Sequence, residues 1–347
     1  MFEAVVMLCL GAADLCRPVL LPGYEAATEA DCAARLEAAP PDPRTFPPGL
    51  SAAEAPHCRP AGAALDLTEV APGVLVHLGA VAEPDAANGA DIANIAVVIG
   101  KTSVAVIDSG GARAVGEALW RAIRARTGLP VSHVILTHMH PDHVFGASVL
   151  REGGAEVVGH AGLARALADR QENYLESLAI LIGAEQAIGT EAPVVDIEVA
   201  DAARVDLGGR VLELTAWPTA HTPNDLTVYD PEIGVLFAGD LVFDTHVPAL
   251  DGSVRGWQAV LADLAEAPAR QVIPGHGGPV LPWPAGGADT ARYLDVLAAD
   301  TRAAIDSGAR LSEAVAHIAE SERGHWRLFD AFNARNATAA FAELEWE

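Results

Sequence analysis

After residue 64, the distribution of hydrophobic residues predicts strands that alternate with helices. Short apolar, β-branched runs predict strands at residues 74–78, 92–99, 104–107, 131–136 and 155–159. Apolar residues at helical spacing predict a helix that contains Val115 and Ile123, and further helices at residues 144–151 and 162–188. Such alternation predicts a layered α/β domain.

A second series of elements follows. Strands are predicted at residues 194–199, 211–216, 226–229, 235–237 and 271–273, with a helix at residues 254–266. The remaining residues have mainly helical spacing. We therefore predict a main domain at residues 65–285 and a helical C-terminal extension at residues 286–347 that packs on it. In the helix at residues 162–188, the apolar side chains either pack on the core or cover a site as a lid, and they include Tyr174, Leu178, Leu181 and Ile182.

Residues 1–64 are predicted to form a small N-terminal module. They contain strand-like runs at residues 5–10 and 19–21, a helix at residues 29–36, and a proline-rich connector. The connector prolines are Pro40, Pro41, Pro43, Pro47 and Pro48. A module of this size has a thin hydrophobic core and gains from cross-links.

All four cysteines, Cys9, Cys16, Cys32 and Cys58, lie in this module. Their clustering predicts two disulfides, for which three connectivities are open. Disulfides indicate an oxidising compartment, yet no Lys or Arg precedes Arg17, so the basic start of a secretory signal is not evident. Either the true start lies upstream and the protein is periplasmic, which we favour, or the thiols stay reduced in the cytoplasm.

The charge of the chain narrows the classes of partner. The 47 acidic and 22 basic residues give a formal net charge of −25. This argues against a nucleic-acid partner, because phosphate binding needs clustered Lys and Arg. No apolar run reaches the roughly 18–20 residues that span a bilayer, so no membrane span is predicted. A small-molecule substrate is expected.

A dense group of candidate metal ligands follows the strand at residues 131–136. His138, His140, Asp142 and His143 lie on the turn between this strand and the next helix. Imidazole and carboxylate suit zinc-like divalent metals, and the lack of a nearby cysteine argues against a closed structural site. The alternative is a histidine-rich surface turn. Three later residues at strand ends could complete the group, namely His221, Asp240 and His276, and glycines beside the last two allow close backbone approach.

In this order, the segments H-M-H-P-D-H, A-H-T, A-G-D and P-G-H-G resemble the metallo-β-lactamase-fold hydrolases over about residues 65–285. The resemblance implies a four-layer αββα sandwich with a dinuclear zinc centre in a catalytic domain. It assigns His138, His140 and His221 to the first metal and Asp142, His143 and His276 to the second. Asp240 would bridge both metals, and Asp108, in V-I-D-S-G, would orient a ligand without binding metal.

Two zinc ions about 3.5–4 Å apart would supply a bridging hydroxide as nucleophile and polarise a carbonyl group. Asp142 could also steer the hydroxide proton, which makes it the candidate catalytic residue. A bridging Asp240 resembles the thioesterase and lactonase branches of the family more than true β-lactamases. An ester, thioester or lactone is therefore the expected substrate.

The N-terminal cysteine module and helical tail are similar to a subgroup named quinoprotein relay system zinc metallohydrolases, which is related to sulfur-oxidation-associated metallohydrolases. That resemblance implies an accessory role beside a quinoprotein dehydrogenase. Two alternatives stay open: a mononuclear iron oxidoreductase similar to persulfide dioxygenases, and a metal-dependent accessory protein without catalysis. His246 either lines the pocket or has a structural role.

Overall fold

The computed structural model describes residues 1–11, 15–42, 46–47 and 49–347. Its strands are β1 (Phe2–Leu10), β2 (Cys16–Ala26), β3 (Leu50–Ala52), β4 (His57–Pro60), β5 (Thr68–Ala71), β6 (Val74–His77), β7 (Ile95–Ile99), β8 (Val104–Ile107), β9 (Val131–Ile135), β10 (Glu156–His160), β11 (Ile197–Val199), β12 (Ala202–Asp206), β13 (Val211–Ala216), β14 (Leu226–Asp230), β15 (Val235–Phe243), β16 (Gln271–His276) and β17 (Leu281–Pro282). Its α-helices are α1 (Glu29–Ala38), α2 (Arg113–Arg126), α3 (Pro141–Val144), α4 (Ala147–Glu152), α5 (Leu163–Ile182), α6 (Ala184–Ala187), α7 (Val254–Ala265), α8 (Ala288–Asp306), α9 (Leu311–Ala314) and α10 (Phe329–Leu344).

These strands form three sheets. In the N-terminal sheet β1 pairs with β2, β3 and β4. The second sheet has the order β11-β10-β9-β8-β7-β6-β5, and the third has the order β12-β13-β14-β15-β16-β17. Strands β8 to β11 run parallel to one another, as do β15 and β16, so their carboxyl ends lie at a common edge within each sheet.

Neighbouring residues in the two large sheets pack in different hydrophobic cores. Val74 of β6 packs in the core between the two sheets, whereas Leu75 packs in a core with α2, α4 and α5. Phe237 of β15 packs in the same intersheet core, and Leu236 packs with α7, α8 and α10. The layers are therefore helix, sheet, sheet and helix, which confirms the predicted αββα sandwich. Within the described residues, no helix has both the length and the apolar character needed to cross a membrane.

Two predicted helices are divided in the structure. Residues 144–151 were expected to form one helix, but the chain turns between α3 and α4, where Gly146 lies against the backbone of Ser109. A Cβ atom at Gly146 would lie 2.0 Å from the Ser109 carbonyl oxygen. The stretch at residues 162–188 divides into α5 and α6 at Gly183, which has a φ of 93°. In α5, Leu178 and Ile182 are buried in the core with α2 and Tyr174 packs against it, as the packing interpretation predicts, whereas Leu181 is 46% exposed and does not join this core.

The N-terminal part contains two disulfides, Cys9–Cys16 and Cys32–Cys58. Disulfide formation is thus confirmed, and one of the three connectivities is selected. Cys32 is fully buried in α1, and its partner lies in β4, so this bond ties the helix to the sheet. In the proline-rich connector, Pro43 and Pro48 lie outside the described residues. The division of the chain at residues 64 and 285 stays a prediction.

We expect the double replacement of Cys32 and Cys58 by serine to lower the free energy of unfolding by about 3 kcal/mol, because the bond restricts the unfolded chain. The same change at Cys9 and Cys16 is the comparison. It should cost less, since these residues are 7 positions apart instead of 26. Urea unfolding followed by circular dichroism measures both losses. A larger loss at Cys9 and Cys16 would contradict the expectation.

His77, at the end of β6, forms a hydrogen-bonded pair with Asp91. Its Nε2 lies 2.8 Å from Asp91 Oδ1, and its Nδ1 lies 3.1 Å from the Asp66 carbonyl oxygen. Burial alone lowers the pKa of His77, but these two contacts outweigh it and raise the pKa above the ordinary value of 6.5. The stability that the charged pair contributes is therefore fully present below the unfolded pKa and is lost as pH rises through the raised folded pKa.

We accordingly expect His77→Gln to reduce the free energy of unfolding by about 1–2 kcal/mol at a pH of about 5.5, and by less at a pH of about 9. Urea unfolding of the wild type and of His77→Gln at the two pH values measures the difference in their free energies of unfolding. Other titrating groups are common to both proteins, so their contributions cancel in this difference. The exposed His317 supplies a control, His317→Gln. A deficit of His77→Gln that grew with pH would show that the pair acts in the opposite sense.

Candidate metal centre

Seven candidate ligands lie together at one edge of the two central sheets. Four follow β9, one lies between β13 and β14, one lies within β15, and one ends β16, in the order His138, His140, Asp142, His143, His221, Asp240 and His276. The structure therefore brings together every metal ligand that the sequence predicts. Their atoms form two groups, and within each group the atoms lie within 4.8 Å of one another.

The first group contains three imidazoles and the Asp240 carboxylate. Nε2 of His138 and Nε2 of His221 lie 3.1 and 3.0 Å, respectively, from Nδ1 of His140. Oδ2 of Asp240 lies 3.8 Å from Nε2 of His138 and 3.5 Å from Nε2 of His221. Three nitrogens and one oxygen thus converge, which is a donor set that suits a zinc-like ion.

The second group contains Asp142, His143 and His276. Asp142 Oδ2 is 3.3 Å from His276 Nε2 and 3.6 Å from His143 Nε2, and the two ring nitrogens are 3.4 Å apart. Asp240 also reaches this group, with Oδ1 at 3.3 Å from His143 Nε2 and Oδ2 at 3.4 Å from His276 Nε2. The Asp240 carboxylate therefore lies between the two groups, where the sequence predicts a bridge.

Each imidazole has one ring nitrogen that faces the other candidate ligands, here called the inner nitrogen, and one that faces away from them, the outer nitrogen. The outer nitrogen of each imidazole contacts an oxygen atom. The partners are Thr137 Oγ1 for His138 at 3.0 Å, Asp251 Oδ2 for His140 at 3.2 Å, Asp108 Oδ2 for His143 at 2.8 Å, the Ala249 carbonyl for His221 at 2.5 Å, and the Ile92 carbonyl for His276 at 2.8 Å. Oxygen acceptors hold the ring proton at the outer nitrogen, so the inner nitrogen presents a lone pair.

These inner lone pairs give a direct test of whether the site fits a metal. Lone pairs that face one another at this separation repel unless a proton or a cation lies between them. In addition, the buried Oδ1 of Asp240 has no well-aligned hydrogen bond in the part of the chain that the structure describes. Converging lone pairs and an unsatisfied buried carboxylate oxygen both fit a divalent ion.

The two groups differ in their electrostatics. Burial lowers the pKa of His138, and it lowers that of His221 to about 3, which favours the neutral ring that a metal ligand requires. Burial also acts to lower the pKa of His276, but Asp240 and Asp142 outweigh it and raise this pKa to about 9. Burial opposes ionisation of both carboxyls, yet the nearby imidazoles hold their pKa values below the usual range. The second group thus attracts positive charge.

Asp108 lies behind His143, where the sequence predicts a residue that orients a ligand. Its Oδ1 accepts a hydrogen bond from the Thr137 backbone N–H at 2.8 Å, and its Oδ2 contacts His143 Nδ1 and accepts from Thr137 Oγ1, both also at 2.8 Å. Its φ is 61°, in the left-handed region, which costs about 1–3 kcal/mol for a residue other than glycine. The hydrogen bonds of the Asp108 side chain stabilise this strained backbone conformation.

Gly239 and Gly275 allow the close approach that the sequence predicts at this edge. A Cβ atom at Gly275 would lie 1.9 Å from Asp240 Oδ1. Gly239 has a φ of 52°, and a Cβ atom there would lie 2.6 Å from Thr137 Oγ1. A side chain at either position would therefore displace Asp240 or the turn that presents His138.

Sequence reasoning missed Asp251 and Arg170. Asp251 follows β15 and contacts His140, and the same carboxylate oxygen forms an ion pair with Arg170 of α5. Neither residue lies in a recognisable motif, so the sequence offered no signal for them. His246 is buried, and its ring centroid lies 5.0 Å from that of His276 and 4.8 Å from that of Phe332. It packs behind a candidate ligand.

Residues 88–276, more than half of the chain, match the model of the metallo-beta-lactamase superfamily. The chain belongs to this superfamily. Among its curated relatives, the hydroxyacylglutathione hydrolase of Pseudomonas aeruginosa is 32% identical over 168 residues, which cover 48% of this chain and 53% of the relative. A hydroxyacylglutathione hydrolase of Cereibacter sphaeroides is 27% identical over 183 residues, which cover 51% and 58%. The chain spans about half the length of the curated relatives it matches.

Solved structures share the fold. A metallo-beta-lactamase from Pontibacter korlensis has a TM-score of 0.53 and 23% identity, with 67% of this chain and 99% of that chain covered. The stereoselective inverting sec-alkylsulfatase from Pseudomonas sp. has a TM-score of 0.58 and 16% identity, with 80% and 50% covered. At these identities the likeness shows the fold alone.

Proposed function

We propose that this chain is a hydrolase that cleaves a thioester, or a related ester or lactone, at a centre of two zinc ions. The observation that supports this most is the position of the Asp240 carboxylate, which lies within 3.3 to 3.8 Å of inner nitrogens from both ligand groups. The hydroxyacylglutathione hydrolases that it resembles support the thioester class, because an acylglutathione is a thioester.

In this proposal His138, His140 and His221 would hold the first ion, Asp142, His143 and His276 would hold the second, and the two ions would share the Asp240 carboxylate. When bound, two zinc ions lower the pKa of a water molecule toward about 7 and polarise a carbonyl group. Asp142 is the more exposed of the two carboxylates, at 19% against 4% for Asp240. We therefore assign Asp142 a further role, in which its carboxylate would accept and orient a proton from water at this site. Asp108 holds the ring of His143 in place.

Hydrolysis of a panel of thioesters, esters and lactones by zinc-loaded protein tests the proposal. The highest activity is expected on thioesters, with loss after chelation and recovery on addition of zinc. Activity that persisted after complete removal of metal would contradict a metal-dependent reaction. Metal binding without turnover of any class in the panel would favour an accessory role without catalysis.

We also propose membership of the quinoprotein relay system zinc metallohydrolase subgroup, with a role beside a quinoprotein dehydrogenase in the periplasm. The disulfide-linked N-terminal sheet and the helices α8 to α10 support membership of the subgroup. The disulfides also support the periplasm, because disulfides persist in oxidising compartments. Thiol labelling of the protein in fractionated native cells tests the compartment. Four free thiols in a cytoplasmic fraction would contradict it.

A further inference from the structure

Helix α5 places a cation beside the candidate metal centre. Nη1 of Arg170 forms an ion pair with Oδ2 of Asp251, and the same oxygen lies 3.2 Å from Nε2 of His140. One carboxylate therefore separates the guanidinium group from a candidate ligand. Tyr174, one helical turn further along α5, accepts a hydrogen bond of 3.3 Å from the same Nη1, which leaves its own hydroxyl proton to donate elsewhere.

Most of the donors of Arg170 are unused by the protein. A guanidinium group has five N–H donors in a planar fork, and in the described ranges only Nη1 of Arg170 makes a hydrogen bond or an ion pair. The side chain is 42% exposed, and no described residue accepts a hydrogen bond from Nε or Nη2. This geometry suits two parallel hydrogen bonds to a carboxylate or a similar oxyanion.

Arg165 of the same helix shows how an ordinary surface ion pair differs. Its side chain is 86% exposed and pairs with Asp169 within α5. Arg170 instead reaches from α5 to the loop after β15, beside His140. Because the net charge of −25 repels anions at long range, selection of an anion must depend on a short-range contact of this kind.

We propose that Arg170, with the Tyr174 hydroxyl, binds an anionic group of the substrate while the scissile bond lies at the metal centre. This inference rests on the proposed hydrolase function and adds a substrate class, namely esters or thioesters that carry a carboxylate or a similar oxyanion. Arg170 is then the residue that determines the preference for acidic over neutral substrates.

Two thioesters of N-acetylcysteamine test the inference, one with a succinyl group and one with an uncharged pentanoyl group. The measured quantity is the ratio of their kcat/KM values in the zinc-loaded protein. A variant that disturbs Asp251 and His140 lowers kcat/KM for both thioesters alike, so this loss cancels in the ratio. The metal content of each variant is measured in parallel. In the wild type we expect the succinyl compound to be preferred by about 10–100-fold.

Arg170→Gln is expected to bring this ratio close to one, and Arg170→Lys, which keeps the charge but loses the fork, should give an intermediate ratio. Arg165→Gln is the matched control and should keep the wild-type ratio. The inference is overturned if Arg170→Gln keeps the preference, if Arg165→Gln loses it equally, or if the wild type prefers the pentanoyl compound.

Hydrolysis of neither thioester by the wild type would contradict the proposed thioester hydrolysis, and anion recognition is then tested by binding. The probe is the thioether analogue of the succinyl compound, measured by calorimetry. Binding that is about 10–100-fold weaker in Arg170→Gln than in the wild type would support Arg170 as the anion-binding residue. Equal binding would overturn it.

Discussion

Replacement of His140 by alanine is expected to lower kcat/KM for thioester hydrolysis by about a thousandfold or more. Its Nδ1 lies 3.0 and 3.1 Å from the inner nitrogens of the two other imidazoles of the first group, so its loss removes a central donor. Loss of a residue that hydrogen-bonds a metal ligand typically costs about 10–100-fold in metal affinity or activity, and loss of the ligand itself should cost more. Steady-state kinetics together with metal analysis measure the effect.

Asp251→Asn gives a graded comparison for this prediction. It keeps the His140 ring, weakens its contact with Asp251 at 3.2 Å and also weakens the ion pair between Asp251 and Arg170, so a loss of at least about 10–100-fold is expected. The exposed His317 supplies a further control, His317→Ala, which should leave the activity unchanged. Retention of more than a tenth of the activity by His140→Ala would place the reaction away from this site.

Glu3→Ala should cause the largest loss of stability, about 3–5 kcal/mol. Glu3 is fully buried in β1 and accepts hydrogen bonds from Nε of Arg121 at 2.6 Å and from Nη2 of Arg59 at 3.1 Å. Arg121 lies in α2 and is itself buried, so removal of Glu3 leaves a buried cation without its main partner. The change also removes one of the ion pairs between the N-terminal sheet and α2, while Arg17 of β2 keeps its pair with Glu117 of α2 at 2.7 Å.

Urea unfolding measures this loss, and Glu37→Ala is the matched control. Glu37 is exposed in α1, and its replacement should change the free energy of unfolding by no more than about 0.5 kcal/mol. Glu3→Gln, which keeps the shape and some of the hydrogen bonds, should give an intermediate loss. If Glu3→Ala and Glu37→Ala unfolded at the same urea concentration, the buried ion pairs would contribute nothing to stability.

The ligand set could be predicted because each ligand lies in a short local segment that carries a recognisable motif, although Asp240 lies within β15, which extends to Phe243 beyond the predicted strand at residues 235–237. Apolar runs such as β9 and β16 indicate where strands end, and the order of the four motifs, through their resemblance to the family, assigns the ligands beside them. The central strands of the two large sheets could be predicted for the same reason, since β6, β8 and β15 are apolar and buried on both faces, whereas the edge strands β5 and β12 are largely exposed.

Other features could not be predicted because they depend on contacts between distant residues. Asp251 meets His140 across 111 positions and Arg170 across 81, and no periodicity marks such pairs. Strands β3 and β4 have only 3 and 4 residues, which is too short to show an apolar pattern. Leu20 of the N-terminal part packs in the same hydrophobic core as α2. The proline-rich composition after residue 39 does not indicate this contact.

The number of metal ions per chain in purified, folded protein tests the proposed centre most directly. Elemental analysis by mass spectrometry is expected to give about two zinc ions per chain, because three imidazoles and three further ligands converge on two adjacent points that share Asp240. His276→Ala, which removes a ligand of the second group only, should retain about one. One iron ion per chain would contradict the two-zinc centre and support the mononuclear oxidoreductase, and no bound metal after loading would contradict both.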